Sequence, residues 1–467
     1  MNKEDIKAFY QDHLEQRLKK KKRNRFYHRQ VEKNMAFIIP EGSKVLELGC
    51  GDGDLLKSVA PSYGVGIDFV GGMVQRARER HPELTFYQMD AEALELDEKF
   101  DYIIISDLVG VLWDVQKMFR QLNKVVHPRT RLVMTYYNNI WEPVIKLGEF
   151  LGLKRKQPVH NWLTLKDLEN LLYLENFQLI KHYNKLLFPK YIPLIHFIVN
   201  VFLGNLPLLN RLGITRYMIA RPEVEPGRDY SVSIVVPARN EKGNIENAIR
   251  RTPSFGWHQE FIFMEGNSSD GTYREMLRVQ DQYPDVDIKV SRQSGKGKGN
   301  AVREAFEQAG GDVLMILDAD LTTPPEDMGK FYEALKQNKG EFINGCRLVY
   351  PMEKQAMRLL NRLGNKFFSF FFTHVLDQRI KDTLCGTKVL FKKDYEKIRD
   401  NRSYFGNFDP FGDFDLLFGA AKLNLKITEI IVRYRSREYG ATQISRFRHG
   451  LLLLRMSAFA ARKLKFK

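Results

Sequence analysis

Gly311-Asp-Val-Leu-Met-Ile-Leu-Asp-Ala-Asp-Leu-Thr-Thr-Pro-Pro-Glu-Asp327 sets five apolar residues, Val313 to Leu317, between Gly310-Gly311-Asp312 and a Pro-Pro stop. That pattern reads as a buried strand. Asp318 and Asp320 follow where the strand ends. In an open α/β sheet, ligands collect outside the carboxyl ends of the strands. Alternate residues on extended backbone point the same way, so both carboxylates can reach one point. Two hard oxygen donors there suit Mg²⁺ or Mn²⁺ holding a diphosphate. Asp-x-Asp alone is also common in solvated turns, so the flanking sequence decides.

Upstream, an apolar run to Val236 reads as a strand and leads into Pro237-Ala-Arg239-Asn-Glu241. A strand over Glu260 to Met264 leads into Glu265-Gly-Asn-Ser-Ser-Asp-Gly-Thr272. A third, Asp287 to Val290, precedes Ser294-Gly-Lys-Gly-Lys298-Gly-Asn-Ala301. Acidic and glycine-rich loops thus gather at one sheet edge, an arrangement suited to a nucleoside diphosphate. Downstream, Arg347 follows a strand over Glu341 to Gly345, and Arg358 lies on the next helix. That helix runs into Phe367-Phe-Ser-Phe-Phe-Phe-Thr373, too many aromatics for one buried stripe, readable as core or as an apolar groove for a lipid. Then come Asp382-Thr-Leu-Cys-Gly-Thr-Lys-Val389, Phe411-Gly-Asp413-Phe-Asp415-Leu416, and a strand from Ile427 to Tyr434 opening on Arg435-Ser-Arg437-Glu-Tyr-Gly-Ala-Thr-Gln443-Ile444.

In this order the motifs resemble the family 2 glycosyltransferases, whose GT-A fold binds nucleotide sugars, and among them the polyprenyl-phosphate sugar transferases such as dolichyl-phosphate mannose and glucose synthases. The resemblance runs from Val232 to about Leu454. It implies that Pro237, Arg239, Glu241, Glu265 and Lys298 bind the nucleotide sugar, and that Asp318 and Asp320 hold the metal and diphosphate. Arg347 and Arg358 would meet an acceptor phosphate, Asp413 or Asp415 would serve as the acceptor-side carboxylate, and Arg437 would neutralise the leaving diphosphate. The chain departs from the family pattern at Met264-Glu265, where an acidic pair is usual, at Thr322, where some mannose synthases carry glutamine, and at Gln443, where lysine is usual. UDP and GDP donors therefore both stay open.

The first half repeats the logic. Residues 5 to 39 read as amphipathic helix. Strand Val45 to Leu48 runs into Glu47-Leu-Gly49-Cys-Gly51-Asp-Gly53, with Asp54 as the expected N-cap of a helix. Further strands, Val65 to Ile67 and Leu84 to Met89, end at Asp68 and Asp90, and a fourth covers Tyr102 to Ser106. Alternation of strands and helices predicts a mostly parallel, doubly wound sheet. Over roughly residues 25 to 185 this region resembles the class I S-adenosylmethionine-dependent methyltransferases. The resemblance implies that Glu47, Gly49, Gly51 and Gly53 lie under the methionine part of the cofactor, that Asp68 binds ribose and that Asp90 meets the adenine edge. A dinucleotide-dependent enzyme is the competing reading. His28 reads as a surface or helix-packing residue, and Asp107, after the fourth strand, as a solvated acid facing the cleft.

The expected organisation is a Rossmann-like domain over 1–222, a linker over 223–229 with proline and glycine, and a GT-A domain over 230–467. With 73 basic against 57 acidic residues the formal charge is +16, suited to phosphorylated substrates or anionic lipid. No aromatic-interleaved basic module points to nucleic acid. Cys50, Cys346 and Cys385 have neither metal-ligand nor disulfide spacing, which fits a reducing compartment. The apolar stretch Leu186 to Leu209 is broken by Pro189, Pro193 and Pro207 and carries Lys190, His196, Asn200 and Asn205. It is expected to form buried helices, with interfacial membrane contact as the other reading. Together these features describe a cytoplasmic or membrane-peripheral enzyme with two activities. Three alternatives remain: a hydroxyl acceptor, a methyltransferase fold that only binds or regulates, and a membrane-surface scaffold.

Overall fold

Val- and Ile-rich runs cut by glycine or acidic loops become strands, and each strand named above forms, with ends shifted by at most three residues. The computed structural model describes residues 3–151, 161–351, 359–404, 414–440 and 446–466. The chain divides into two units, Met1–Val224 and Glu225–Lys465.

The first unit contains strands β1 (Lys44–Leu48), β2 (Tyr63–Asp68), β3 (Thr85–Gln88), β4 (Phe100–Ser106), β5 (Val126–Tyr137), β6 (Phe177–Lys185) and β7 (Thr215–Pro222). They form one sheet in the order β3-β2-β1-β4-β5-β7-β6, parallel except for β7, which runs antiparallel to both neighbours. Central strands are buried on both faces, which is why β1 and β4 are mostly apolar, β1 with Glu47 buried among them. The chain winds outward from β1 to β3 and then crosses to β4. The ends of β1 and β4 therefore flank the crevice where such sheets bind ligands.

The predicted N-terminal helix is three helices, Lys3–Asp12, Leu14–Arg23 and Arg25–Ile38, broken at His13 and Asn24, whose backbones leave helical geometry. Residues 186–209 depart further from expectation. Pro193–Ile195, His196–Phe202 and Leu203–Asn205 follow one another as one irregular helical run, which is not buried as expected. Leu194, Phe197 and Leu208 are exposed, whereas Asn200 and Asn205 are buried. Pro189, Pro193 and Pro207 bound this run, and the two asparagines turn inward to satisfy backbone groups.

In the second unit lie β8 (Ser231–Ala238), β9 (His258–Glu265), β10 (Asp287–Arg292), β11 (Val313–Ile316), β12 (Phe342–Cys346), β13 (Lys388–Phe391) and β14 (Ile427–Ile431). Their order is β10-β9-β8-β11-β13-β12-β14, with β13 antiparallel to β11 and β12. The crevice here lies between the ends of β8 and β11. On the helix Leu359–Leu376, Phe372 is buried against Phe414 and Phe418, while Phe367 and Phe370 are exposed. The phenylalanine run thus divides between a core-facing side and an exposed apolar side of one helix. All three cysteines are free and buried.

Candidate functional site

At the end of β11 the two aspartates sit in different electrostatic settings. Asp318 Oδ1 lies 2.6 Å from Lys298 Nζ, the first residue of the helix Lys298–Gln308. Burial pushes the Asp318 carboxyl up, but the Lys298 ammonium outweighs it and holds the group below the usual carboxylate range. Asp320 Oδ1 accepts from the Thr322 hydroxyl at 2.8 Å, and Asp320 Oδ2 accepts from Arg437 Nη2 at 2.7 Å. Arg437 Nη1 donates at the same distance to Glu241 Oε1. Glu241 also accepts from Asn244 Nδ2 at 2.7 Å, and burial raises its carboxyl to about 7 despite Arg437.

Glu265, at the end of β9, is buried and accepts from the Ser268 amide. Pro237 and Arg239 follow β8, with Arg239 exposed. The Pro237–Glu241 loop is tied to the Glu265–Thr272 loop by the Ser269 amide donating to Asn240 Oδ1 at 2.8 Å. Asn240 adopts φ +57°, left-handed backbone that asparagine tolerates well. Five predicted residues, Glu241, Lys298, Asp318, Asp320 and Arg437, thus share one cleft.

One member was visible only as a motif letter. Gly386, the glycine of Asp382-Thr-Leu-Cys-Gly386, faces the Asp318–Lys298 pair, and a Cβ there would overlap both side chains. Asn244 carried no sequence signal. As a metal site the cleft offers two carboxylates, hard donors of the kind Mg²⁺ and Mn²⁺ accept alongside water and phosphate oxygens. Among the described residues no group of three or more His, Cys, Asp or Glu side chains could hold an ion.

The acceptor-side residues are more constrained. Arg347 donates through Nε to Asp382 Oδ2 at 2.7 Å and through Nη2 to Oδ1 at 2.9 Å. Asp382 is fully buried, and Arg347 also lies over the Tyr434 ring. Asp415 lies in the helix Phe414–Lys422, only 6% exposed, and its Oδ2 accepts from Arg303 Nη2 at 2.8 Å. Asp413, Arg358 and Gln443 lie outside the described residues.

In the first unit Gly49, Gly51 and Gly53 all have positive φ. Asp68 accepts from the Gly51 amide at 3.0 Å and the Val70 amide at 2.9 Å, shaping the turn. Glu47 is buried, and its Oε2 has no hydrogen-bond partner among the described residues. Burial pushes its carboxyl well up. An orphaned buried acceptor beneath a glycine turn fits the amino group of a bound S-adenosylmethionine. Asp90 accepts from the Glu92 amide and pairs with Lys3 at 2.5 Å.

Asp54 is not the predicted cap. The N-cap is Gly53, in left-handed backbone, and Asp54 is the first helical residue. Its carboxylate is taken by Lys21, Arg80 and His81, which leave it no reach to the helix amides. Lys21 also pairs with Asp52. Asp107 is not simply solvated: Tyr27 donates to its Oδ2 at 2.7 Å, and its φ is +52°. His28 is half-buried against Tyr27, in keeping with a packing role.

Residues 233–399 match the family model Glycosyl transferase family 2, and residues 45–129 match Methyltransferase domain. The dolichol-phosphate mannosyltransferase of Pyrococcus furiosus is 35% identical over 175 residues, 36% of this chain and 49% of that protein. The chain therefore spans about half the length of that relative. Glycosyltransferase AglJ of Haloferax volcanii is 29% identical over 222 residues, 47% of this chain and 68% of its own. The solved magnesium protoporphyrin IX methyltransferase from Synechocystis overlays 48% of this chain and all of its own, at 16% identity and a TM-score of 0.35. Motifs, strand orders and family matches agree: the chain joins a Rossmann-like methyltransferase domain to a family 2 glycosyltransferase domain of GT-A fold.

Proposed function

We propose that the second unit transfers a sugar, with inversion, from a UDP- or GDP-sugar to a polyprenyl phosphate, and that the first unit methylates a substrate of the same glycan or glycolipid pathway. The observation carrying this reading is the convergence of Lys298, Asp318, Asp320, Arg437 and Glu241 at the ends of β8 and β11. The acceptor phosphate oxygen bonds to the anomeric carbon as the bond to the diphosphate breaks. Lys298 and Arg437 are placed to take up the negative charge that departs with the diphosphate. Asp318 and Asp320 would hold Mg²⁺ or Mn²⁺, which supplies Lewis-acid stabilisation of that same diphosphate. Pro237, Arg239, Glu241 and Glu265 frame the nucleoside, and Arg347 and Arg358 orient the acceptor.

A phosphate acceptor is already ionised and needs no base, whereas a hydroxyl acceptor would. The Asp415 carboxylate is buried and held by Arg303, which leaves it little reach to an acceptor hydroxyl and favours the phosphate. Exposed Phe367 and Phe370, with Leu451 and Leu454 on the helix Arg446–Leu464, offer apolar surface for a lipid chain. Among the described residues no helix is long and apolar enough to cross a membrane, so contact would be peripheral. Glu47, the three glycines, Asp68 and Asp90 are the proposed S-adenosylmethionine contacts. The linker is placed at 223–229, between the domains 1–222 and 230–467.

The test offers labelled UDP- and GDP-sugars with Mg²⁺ or Mn²⁺ and a polyprenyl phosphate, comparing wild type with Asp320→Ala. Lipid-linked label that the variant loses is the expected result. Nucleotide-sugar hydrolysis that depends on Asp320, without lipid product, moves the acceptor to a hydroxyl. Neither signal overturns the reading.

A further inference from the structure

Water-facing segments normally hide apolar side chains and show polar ones. Residues 193–212 of the first unit do the reverse. Leu194 is 70% exposed, Phe197 61% and Leu208 74%, while Asn200 and Asn205 are 8% and 1% exposed. The buried asparagines serve the backbone: Asn200 exchanges hydrogen bonds with the Phe188 amide and carbonyl, both at 2.9 Å, and Asn205 donates to the Val201 carbonyl at 2.8 Å. Apart from Arg211, the exposed side chains of the segment are apolar.

A second exposed apolar face adjoins it. The helix Glu142–Phe150 presents Val144, Leu147 and Phe150, the last 84% exposed. Its start is pinned to the 211–213 turn, because Trp141 Nε1 donates to the Leu212 carbonyl at 2.8 Å and Asn138 Nδ2 to the Arg211 carbonyl at 2.8 Å. Both segments emerge where β5 and β6 end and β7 begins, the carboxyl edge of the sheet that also carries the glycine turn.

Charge identifies the occupant. From Leu186 to Arg216 there is no aspartate or glutamate, while Lys190, Arg211 and Arg216 are present. Lys190 and Arg211 are exposed. The neighbouring helix adds Lys146, paired with Glu142, and Glu149. Apolar side chains outward, backbone polar groups satisfied inward and a 186–216 segment with cations and no acid suit the headgroup layer of an anionic bilayer. The run is too short to span it.

We propose that the methyltransferase unit carries its own lipid-facing surface, formed by residues 193–212 and the helix Glu142–Phe150, which seats it on an anionic membrane. The surface shares a sheet edge with the cofactor crevice, so a methyl acceptor presented there comes from the lipid layer. The inference stands on the first unit alone and is independent of the sugar acceptor.

The test is flotation of the full chain with vesicles of phosphatidylcholine, alone or mixed with phosphatidylglycerol, containing no polyprenyl phosphate. Wild type is expected to float with the anionic vesicles. The combined variant Phe150→Ser, Leu194→Ser, Phe197→Ser, Leu208→Ser should lose roughly tenfold or more in partition coefficient, since each change removes exposed apolar area. Trp257→Ser, an exposed aromatic of the second unit outside either apolar surface, should retain the binding. Far-UV circular dichroism and S-adenosylmethionine titration confirm that the fourfold variant is folded. Flotation unchanged by the fourfold variant, or absent in wild type, overturns the inference. So does a wild-type dimer in sedimentation velocity that the fourfold variant dissociates without change in flotation, which would make the face a contact between copies.

Discussion

Arg437 bridges Glu241 and Asp320, one guanidinium nitrogen to each carboxylate, at 2.7 Å on both sides. The loop around Arg437 is thereby tied to two loops nearly two hundred and more than one hundred residues away in sequence. A guanidinium held beside Asp320, where the diphosphate is proposed to sit, would need little reorganisation as charge develops there.

Replacement of Arg437 by alanine should therefore reduce sugar transfer by roughly 10²–10³-fold, the usual cost of removing one such donor. The loss should fall on kcat more than on nucleotide-sugar affinity. Single-turnover transfer with labelled donor measures it.

Gly386→Ala should damage the cleft without unfolding the unit. The added Cβ overlaps only the tips of Asp318 and Lys298, which can swing away. Stability should change by less than about 1 kcal/mol. Nucleotide binding should weaken roughly tenfold, about 1.4 kcal/mol. Calorimetric titration with UDP and GDP, beside thermal melts, separates the two effects.

Asp415→Asn leaves Arg303 with its buried partner uncharged, and Arg402 nearby. Breaking a buried ion pair costs about 3 kcal/mol or more. Urea denaturation should show that loss, and the double change Asp415→Leu with Arg303→Met should recover much of it. A purely catalytic role for Asp415 would leave stability unchanged.

His28 supplies a pH signature in the first unit. Burial, with Lys21 nearby, lowers its pKa from 6.5 to about 4. The folded state thus binds fewer protons than the unfolded chain between those values. Its stabilisation is fully present above pH 6.5 and is lost as pH falls toward 4. The loss should approach about 2–3 kcal/mol, and His28→Gln should flatten it. Denaturant midpoints across that range give the comparison.

Both sheets were legible because their strands are short apolar runs with acidic or glycine punctuation, a local pattern. Asp318, Asp320 and Asp68 were legible for the same reason, since each stands where such a run ends. The placement of Asp54 was not, because its carboxylate answers to Lys21, Arg80 and His81 rather than to its own helix. Segment 186–209 misled for a related reason. Its asparagines read as polar blemishes on an apolar helix, yet they are the interior of an irregular one. Which way a side chain faces depends on what the backbone lacks nearby, and spacing alone does not encode that.

Lys3 pairs with Asp90, and Lys21 with Asp52 and Asp54, so the N-terminal helices are latched by charge to the segments that follow β3 and β1. The consequence is kinetic. With Asp90 as the proposed nucleoside contact, an arriving nucleoside would first have to displace an ammonium group, so the latch would slow association. Salt that screens the latch should hasten capture, the reverse of the slowing that ionic strength imposes on a charge-steered ligand.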